Sequence, residues 1–311
     1  MTKKKKIPQI LKQIKNQPLR EMNYAFEKAI SYSQFSVFQS CHRKWALQYR
    51  DGFYTSEQSI YMTFGTALHE AIQHYITTIY EQSGAAADRI DLKEYFEERF
   101  RETYLKDYKS NKNTHFSNSV EMNEFFEDGL EILNFIKKKR GGYFGKRGWH
   151  LVGCEVPLMV TPNPKYPNIL YKGYLDVVLY NETLNKFKIL DIKTSTRGWG
   201  DKEKKDETKQ FQLILYKKYL AQQYNINVDD IIAESVMLIK RPAIKMLFIP
   251  LKASQKYCVS AGDVSFNLDF SDLFLVNMMA QETPFSAKIF INHTEILRNL
   301  LTQNILTRAE T

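Results

Sequence analysis

At 311 residues, 43% hydrophobic and 25% charged, the chain can bury one large core or two smaller ones. Its longest apolar runs, such as LFLVNMMA from Leu273, fall far short of the roughly 20 residues that a bilayer span needs, and no apolar stretch follows the lysines of MTKKKKIPQI, so neither a membrane nor a secreted protein is expected. A net charge of +9 favours an anionic partner, and three scattered cysteines (Cys41, Cys154, Cys258) fit no disulfide framework and no paired metal-ligand spacing, which suits a reducing compartment.

Residues 1–20 read as a basic flexible arm, with Pro8 and Pro18 interrupting regular structure and lysines 3–6 serving either as a solubilising run or as phosphate contacts. Residues 21–145 read as a helical region. In SYSQFSVFQSCHRKWALQY, Ser33 is placed to cap a helix whose apolar surface holds Phe35, Phe38, Trp45 and Leu47. His42, Arg43 and Lys44 form a cationic group beside Trp45 that meets either phosphate or plain solvent. In MTFGTALHEAIQHYITTIY, Thr63 offers a cap and the spacing predicts a helix over 67–80 with Leu68, Ile72, Tyr75, Ile76 and Ile79 inward. His69 then sits one turn ahead of Gln73, and Gly65 permits close backbone approach where the helix begins. After a GAAAD break, LKEYFEERFRETYLKDY is helical. So is VEMNEFFEDGLEILNFIKKKR, which Gly141-Gly142 should stop, with the polar KSNKNTHFSNS a loop between them.

The period then shortens. HLVGCEVPLMV, NILYKGYLDVVLY and KFKILDIKTST read as three strands, TKQFQLILYKKYLAQQY as a helix, and ESVMLIKR and KMLFIPLK as two more strands joined by a turn at Pro242. Residues 146–270 thus form an α/β core with a mixed central sheet flanked by helices. Residues 271–311 form a helical tail, interrupted at TPFSAK, that packs on this core through Phe285, Ile289, Phe290 and Ile296.

Two of these strands carry acids in telling places. On KFKILDIKTST, Asp191, Lys193 and Ser195 share one face and Leu190, Ile192 and Thr194 the other, so Asp191 and Lys193 stand roughly 6–7 Å apart. Such a face holds a divalent cation beside an ammonium group, or is merely the wet side of an amphipathic strand. Asp176 lies among Leu175, Val177, Val178 and Leu179, where an acid is costly unless paired or bound to an ion. The turn NETLN makes the two strands antiparallel neighbours, which brings Asp176 and Asp191 toward one end of the sheet. Two carboxylates held together select a hard cation such as Mg²⁺ or Mn²⁺, though a structural ion or salt bridge answers the same need. With Lys193 alongside, the set supplies what phosphodiester hydrolysis requires.

The ordered set of Gly65 and His69 (G-x-x-x-H), Glu155, G-Y-L-D ending at Asp176, D-I-K-T from Asp191, and Gln212 with Tyr216 (Q-x-x-x-Y) resembles the PD-(D/E)XK nuclease superfamily. Within it the set is most similar to the branch that holds the nuclease domain of RecB and the CRISPR-associated and viral exonucleases. The resemblance covers about residues 32–241 and implies a restriction-endonuclease-like fold with a helical N-terminal elaboration. It implies metal binding by Asp176, Asp191, His69 and the Ile192 backbone carbonyl, and catalysis by Lys193 with Glu155, Gln212 and Tyr216 near the cleft. Arg43, Lys44, Trp45, Thr194, Ser195 and Arg197 are the residues expected to meet DNA.

One departure stands out. Many members of that branch hold an iron–sulfur cluster with one cysteine before the core and three near the C-terminus. Cys41 resembles the first, but no cysteine follows Cys258, so no cluster is expected and Cys41 is read as a buried or bystander thiol. The resemblance favours an exonuclease on single-stranded DNA or DNA ends, with Mg or Mn as cofactor, in the cytoplasm of a bacterium or of a phage host. No phosphate loop of the G-x-x-x-x-G-K-[ST] type occurs, so any helicase would be a separate partner, as would a recombination or replication protein. A structure-selective endonuclease and a catalytically inactive DNA-binding or assembly module of the same fold remain the alternatives.

Overall fold

The computed structural model describes residues 8–53, 58–145, 148–195, 207–239 and 245–250. Lysines 3–6, Arg197, the Pro242 turn, Cys258 and the 271–311 tail lie outside the described residues. Helix α1 (Gln9–Asn16) and the short strand β1 (Lys28–Ile30) precede α2 (Tyr32–Ser40) and α3 (His42–Trp45), which a single π turn, Ala46–Arg50, prolongs. Four more helices follow: α4 (Ile60–Glu81), α5 (Gly84–Asp88), α6 (Leu92–Ser110) and α7 (Ser119–Tyr143). The sheet strands are β2 (Trp149–Val160), β3 (Ile169–Asn181) and β4 (Lys186–Ser195), then, after α8 (Glu207–Tyr224), β5 (Ile231–Ile239) and β6 (Lys245–Pro250).

The sheet runs β1-β3-β4-β5-β6, with β2 also paired to β3. It is mixed: β1–β3 and β4–β5 are parallel, and β2–β3, β3–β4 and β5–β6 antiparallel. Since α8 joins the parallel neighbours β4 and β5, it is the crossover of a βαβ unit. Two cores cover its two faces. On one, α4, α6 and α7 bury Leu68, Ile72, Phe96 and Leu133 against Val177, Leu179, Leu190, Ile192, Val236 and Leu238. On the other, α1 and α8 bury Leu11, Leu215, Tyr219 and Leu220 against Leu158, Leu175, Val178 and Ile189. A third cluster joins Ile30, Phe35, Phe38, Trp45 and Ile169 where β1 meets α2 and α3. This is the expected α/β architecture with a helical N-terminal elaboration.

The caps explain where the helices start. Ser59, Asp91 and Asn118 accept backbone N–H groups of Tyr61, Glu94 and Glu121, so α4, α6 and α7 begin just after them. Helix α4 therefore starts well ahead of residue 67. Thr63 is inside it and its hydroxyl donates to Asp107 at 2.6 Å. Likewise Ser31, not Ser33, caps α2. The GAAAD break is itself the short helix α5, capped by Ser83. Helix α7 continues through Gly141 and Gly142 because Phe144, fully buried, closes its last turn while the Tyr80 hydroxyl donates to the Phe144 carbonyl at 2.5 Å. Residues 9–16 of the arm are a docked helix, with Leu11 and Ile14 inward. At Gly129, α7 presses on α6: a Cβ there would lie 2.5 Å from Cζ of Phe96.

Candidate active site

Strand β3 pairs with β2 along one edge and shares its other edge between two partners, β1 at 169–171 and β4 at 177–181. The β3–β4 ladder stops at the pair Val177–Leu190, while β4 stays on β5 through Ser195. Residues 172–176 therefore have no strand partner on that edge among the described residues, and β3 and β4 open into a fork with Asp176 at its apex. The β2 ladder lapses at the same level: Cys154–Val177 and Val156–Leu175 pair, but Glu155 and Asp176 between them do not. Glu155 takes φ 49°, the left-handed region that a non-glycine residue rarely occupies in a strand. The alternation of β3 reverses there too, since Leu175 and Val178 face the α8 core and Val177 and Leu179 the α4 core.

The apex is bridged by side chains instead of ladder bonds. Ile192 N–H donates to Asp176 Oδ2 at 2.6 Å across the fork. His69, projecting from α4, places Nδ1 3.9 Å from the same oxygen. Asp191 is 2% exposed and faces the α8 side. Its Oδ1 accepts from Lys193 Nζ at 2.9 Å and its Oδ2 from the Ser235 hydroxyl at 3.3 Å. Asp176, Asp191, Lys193, His69 and the Ile192 backbone thus come together, three elements contributing one group or more each.

The electrostatics follow from burial. Desolvation, then the charge of Asp191, raises the Asp176 carboxyl to about 7, against the pull of Lys193 and the Ile192 N–H. Burial and the charge of Lys193 lower the His69 imidazole to about 4, so the ring is neutral near pH 7 and free to act as a nitrogen donor. A hydrogen bond with the Ile192 backbone pulls His69 the other way. Burial alone would lower the Lys193 ammonium, but Asp191 and Asp176 outweigh it and hold the proton on.

Gln212 and Tyr216 pair on α8, Gln212 Nε2 donating to the Tyr216 hydroxyl at 2.8 Å. Burial and the charge of Asp191 raise the Tyr216 phenol, which keeps its proton. Gly173 gives this tyrosine room, as a Cβ there would sit 3.4 Å from the Tyr216 ring and 3.1 Å from that of Tyr171. Glu155 is exposed and is held by a residue absent from the sequence-based set, Gln73. The Gln73 amide donates to Glu155 Oε1 at 2.6 Å and to the Asp176 carbonyl at 3.3 Å, replacing the ladder bonds that lapse there. The available signal was its i+4 spacing from His69 on one helix face. Thr194 and Ser195 lie on the β4 arm of the fork, Thr194 Oγ1 standing 3.7 Å from where a Gly65 Cβ would be.

The α2–α3 residues do not join this cluster. Arg43 and Lys44 are exposed. Trp45 is 2% exposed, its ring edge-on to Phe38, and so has no free face for a base. Cys41 is exposed, not buried, and its Sγ accepts the Lys44 N–H at 3.4 Å as the cap of α3.

Two carboxylates, a neutral imidazole and a backbone carbonyl are donors suited to a hard divalent cation, and burial first, then the charge of Asp191, makes the ionised form of Asp176 costly without a further positive partner. Among the described residues, no three His, Cys, Asp or Glu side chains group closely enough to hold an ion. Also among the described residues, no helix is long and apolar enough to cross a membrane.

No curated protein matches the chain. Among solved structures, a Eubacterium rectale protein provisionally named an exonuclease superposes with a TM-score of 0.48 at 14% identity, over 86% of this chain and 89% of that one. The model of the PD-(D/E)XK nuclease superfamily matches residues 29–286, most of the sequence and all of the fork, and the chain belongs to that superfamily.

Proposed function

We propose that this chain is a divalent-metal-dependent deoxyribonuclease of the RecB-like branch, acting as an exonuclease on single-stranded DNA or DNA ends. The observation that supports this reading is the fork, where Asp176 accepts the Ile192 N–H at 2.6 Å and Asp191, one residue away, accepts from Lys193 at 2.9 Å. Asp176 and Asp191 would hold Mg²⁺ or Mn²⁺, with His69 and the Ile192 carbonyl as further donors. A bound ion of this kind polarises a phosphoryl oxygen and lowers the pKa of its water. Lys193 supplies an ammonium group at the same centre, where charge builds up on the phosphorane-like transition state. Asp191 orients that ammonium at 2.9 Å and Ser235 steadies Asp191 from behind. Gln212 and Tyr216 present a polar edge on the α8 side that can position substrate or Lys193, and Glu155 borders the site from β2.

Arg43 and Lys44 are exposed cations available to phosphate, and Thr194 and Ser195 line the β4 arm; Arg197 is assigned to DNA on the sequence alone. The absence of an iron–sulfur cluster, a cytoplasmic setting and a separate helicase or recombination partner belong to the same proposal. Incubation with end-labelled linear and closed circular single-stranded DNA, in Mg²⁺, Mn²⁺ or EDTA, tests it. Metal-dependent loss of linear DNA with circles spared is the expected result. Cleavage of circles would replace the exonuclease by an endonuclease, and inertness toward every substrate and metal would refute nuclease function.

A further inference from the structure

The stretch of β3 left open by the fork carries more than the apex acid. By strand alternation, Lys172 and Tyr174 share the face opposite Tyr171 and Leu175, which are buried against α8, and they lead up to Asp176, where the alternation reverses. Tyr174 is 46% exposed, an unusual exposure for an aromatic side chain on a strand whose neighbours Leu175 and Tyr171 are fully buried. The Lys172 ammonium lies 5.8 Å from its ring centroid. A cation over one side of a phenol ring, on a stretch of β3 whose second edge has no strand partner among the described residues, puts an aromatic face and a positive charge side by side at the surface. On the other arm of the fork stand Thr194 and Ser195.

The spacing is informative. Successive same-face residues of a strand are roughly 6–7 Å apart, about two steps of a stacked nucleic-acid strand rising ~3.4 Å per nucleotide. A strand whose phosphate sits over Asp176 would therefore bring a nearby base to Tyr174 and a further phosphate to Lys172. Only an unpaired base can turn its face onto a side chain; in a duplex that face is taken by its stacking neighbours.

We infer that Lys172 and Tyr174 form a binding track for single-stranded nucleic acid leading to Asp176, with Tyr174 stacking a base and Lys172 neutralising a phosphate. This rests on the nuclease reading and adds to it the feature that selects unpaired substrate.

The test is anisotropy with dye-labelled oligo-dT and a blunt duplex, in EDTA so that binding is read apart from cleavage, on the full chain and its variants. Tyr174→Ala is expected to weaken oligo-dT binding about tenfold, within the range that loss of one base–aromatic stack produces, and to leave duplex binding unchanged. Tyr174→Trp should restore it, and Tyr174→Leu, which keeps apolar bulk on the strand should the alanine variant misfold, should not. Lys172→Ala should flatten the salt dependence by about 0.7 of a log–log unit, the contribution of one phosphate on a single strand. An abasic site moved along the oligonucleotide should at one position make the parent and Tyr174→Ala bind alike. Equal binding of oligo-dT by the parent, Tyr174→Ala and Tyr174→Leu, or equal losses on duplex and single strand, would overturn the inference. Cleavage in Mn²⁺ is measured in parallel: a cleaving parent with unaffected variants sinks only this track, whereas weakened variants of a parent that never cleaves sink the nuclease reading and leave the track standing.

Discussion

Asp176→Asn separates the chemistry of the fork from its cost. The Asn side chain keeps an acceptor for the Ile192 N–H, so the bridge across the fork survives. What disappears is a buried acid whose carboxyl is raised from 3.8 to about 7 by desolvation and by Asp191. The sign follows from proton counting. Between those values the native protein holds a proton that the unfolded chain has lost, so this group makes stability fall as pH rises from about 4 to 7 and adds no further change above. At ~1.36 kcal/mol per pH unit the ceiling is ~4 kcal/mol. The fold responds as a medium of effective dielectric roughly 20, and Lys193 shares the charge, which brings the expected value to about 1–2 kcal/mol. For domains of this order each kcal/mol moves Tm by roughly 2–4 °C.

Thermal unfolding of parent and Asp176→Asn in EDTA at pH 4 and pH 8 is the assay. We expect Tm to match within error at pH 4 and the variant to be several degrees more stable at pH 8. Millimolar Mn²⁺ or Mg²⁺ should raise the parent's Tm at pH 8 by mass action and raise the variant's less. Equal Tm differences at both pH values, or a variant less stable at pH 8, would refute the account of Asp176 as an acid held at an energetic loss.

Lys193→Ala should lower turnover by about 10²–10³, the usual consequence of losing one group that stabilises developing charge, and should leave most DNA affinity; near-parent rates in single-turnover cleavage would sink the assignment. Gln73→Leu removes the amide that ties Glu155 to the Asp176 carbonyl, so kcat and Mn²⁺ affinity measured by calorimetry should both fall while KM for DNA changes little; a lowered Tm with metal affinity intact would make Gln73 merely structural. Gly129→Ala forces a Cβ onto the Phe96 ring and should destabilise by about 1–3 kcal/mol in denaturant melts, with cleavage at low temperature unchanged.

Long strands and long helices were legible because their apolar periods are strong: the runs around Leu158, Val178 and Ile189 all fall in β-strands, and the α4, α6 and α7 patterns all fold as helices. Strand β1 was not, because KAI is too short for any period to show and is held by pairing to residues 169–171. Helix α1 carries only two inward residues, Leu11 and Ile14, too few to compete with its flanking prolines in a reading of the sequence. Thr63 misled because a threonine before an apolar run looks like a cap, whereas its partner is Asp107, 44 positions away. Trp45 looked available for DNA because charged neighbours surround it in sequence; in space it faces Phe38 and Ile30. Motif residues said which side chains gather but not how. Where a ladder stops depends on the backbone of two strands at once, and nothing in the letters of β3 or β4 alone marks Val177–Leu190 as the last pair.

That interruption also explains why several costly features sit together. Asp176 buried beside Asp191, Glu155 at φ 49°, and a Tyr171 hydroxyl that is buried with no partner among the described residues all fall within a few residues of one level of β3. Elsewhere on β3 and β4 the strands pair in regular register, apart from a shift between Leu151 and Gly153 on β2. Had β3 and β4 stayed zipped past Val177, the Ile192 N–H would have found a backbone carbonyl and Asp176 would have had no donor and no opening. A ladder that ends there exchanges two or three backbone hydrogen bonds for a carboxylate that accepts one of them and still reaches solvent. Local rules tend to break where function needs a strained or charged group held in place, and here they break at the one level where two acids and an ammonium share an open edge. The fork is thus the structural condition for the proposed chemistry: without it Asp176, Asp191 and Lys193 would be a poorly satisfied stretch of core.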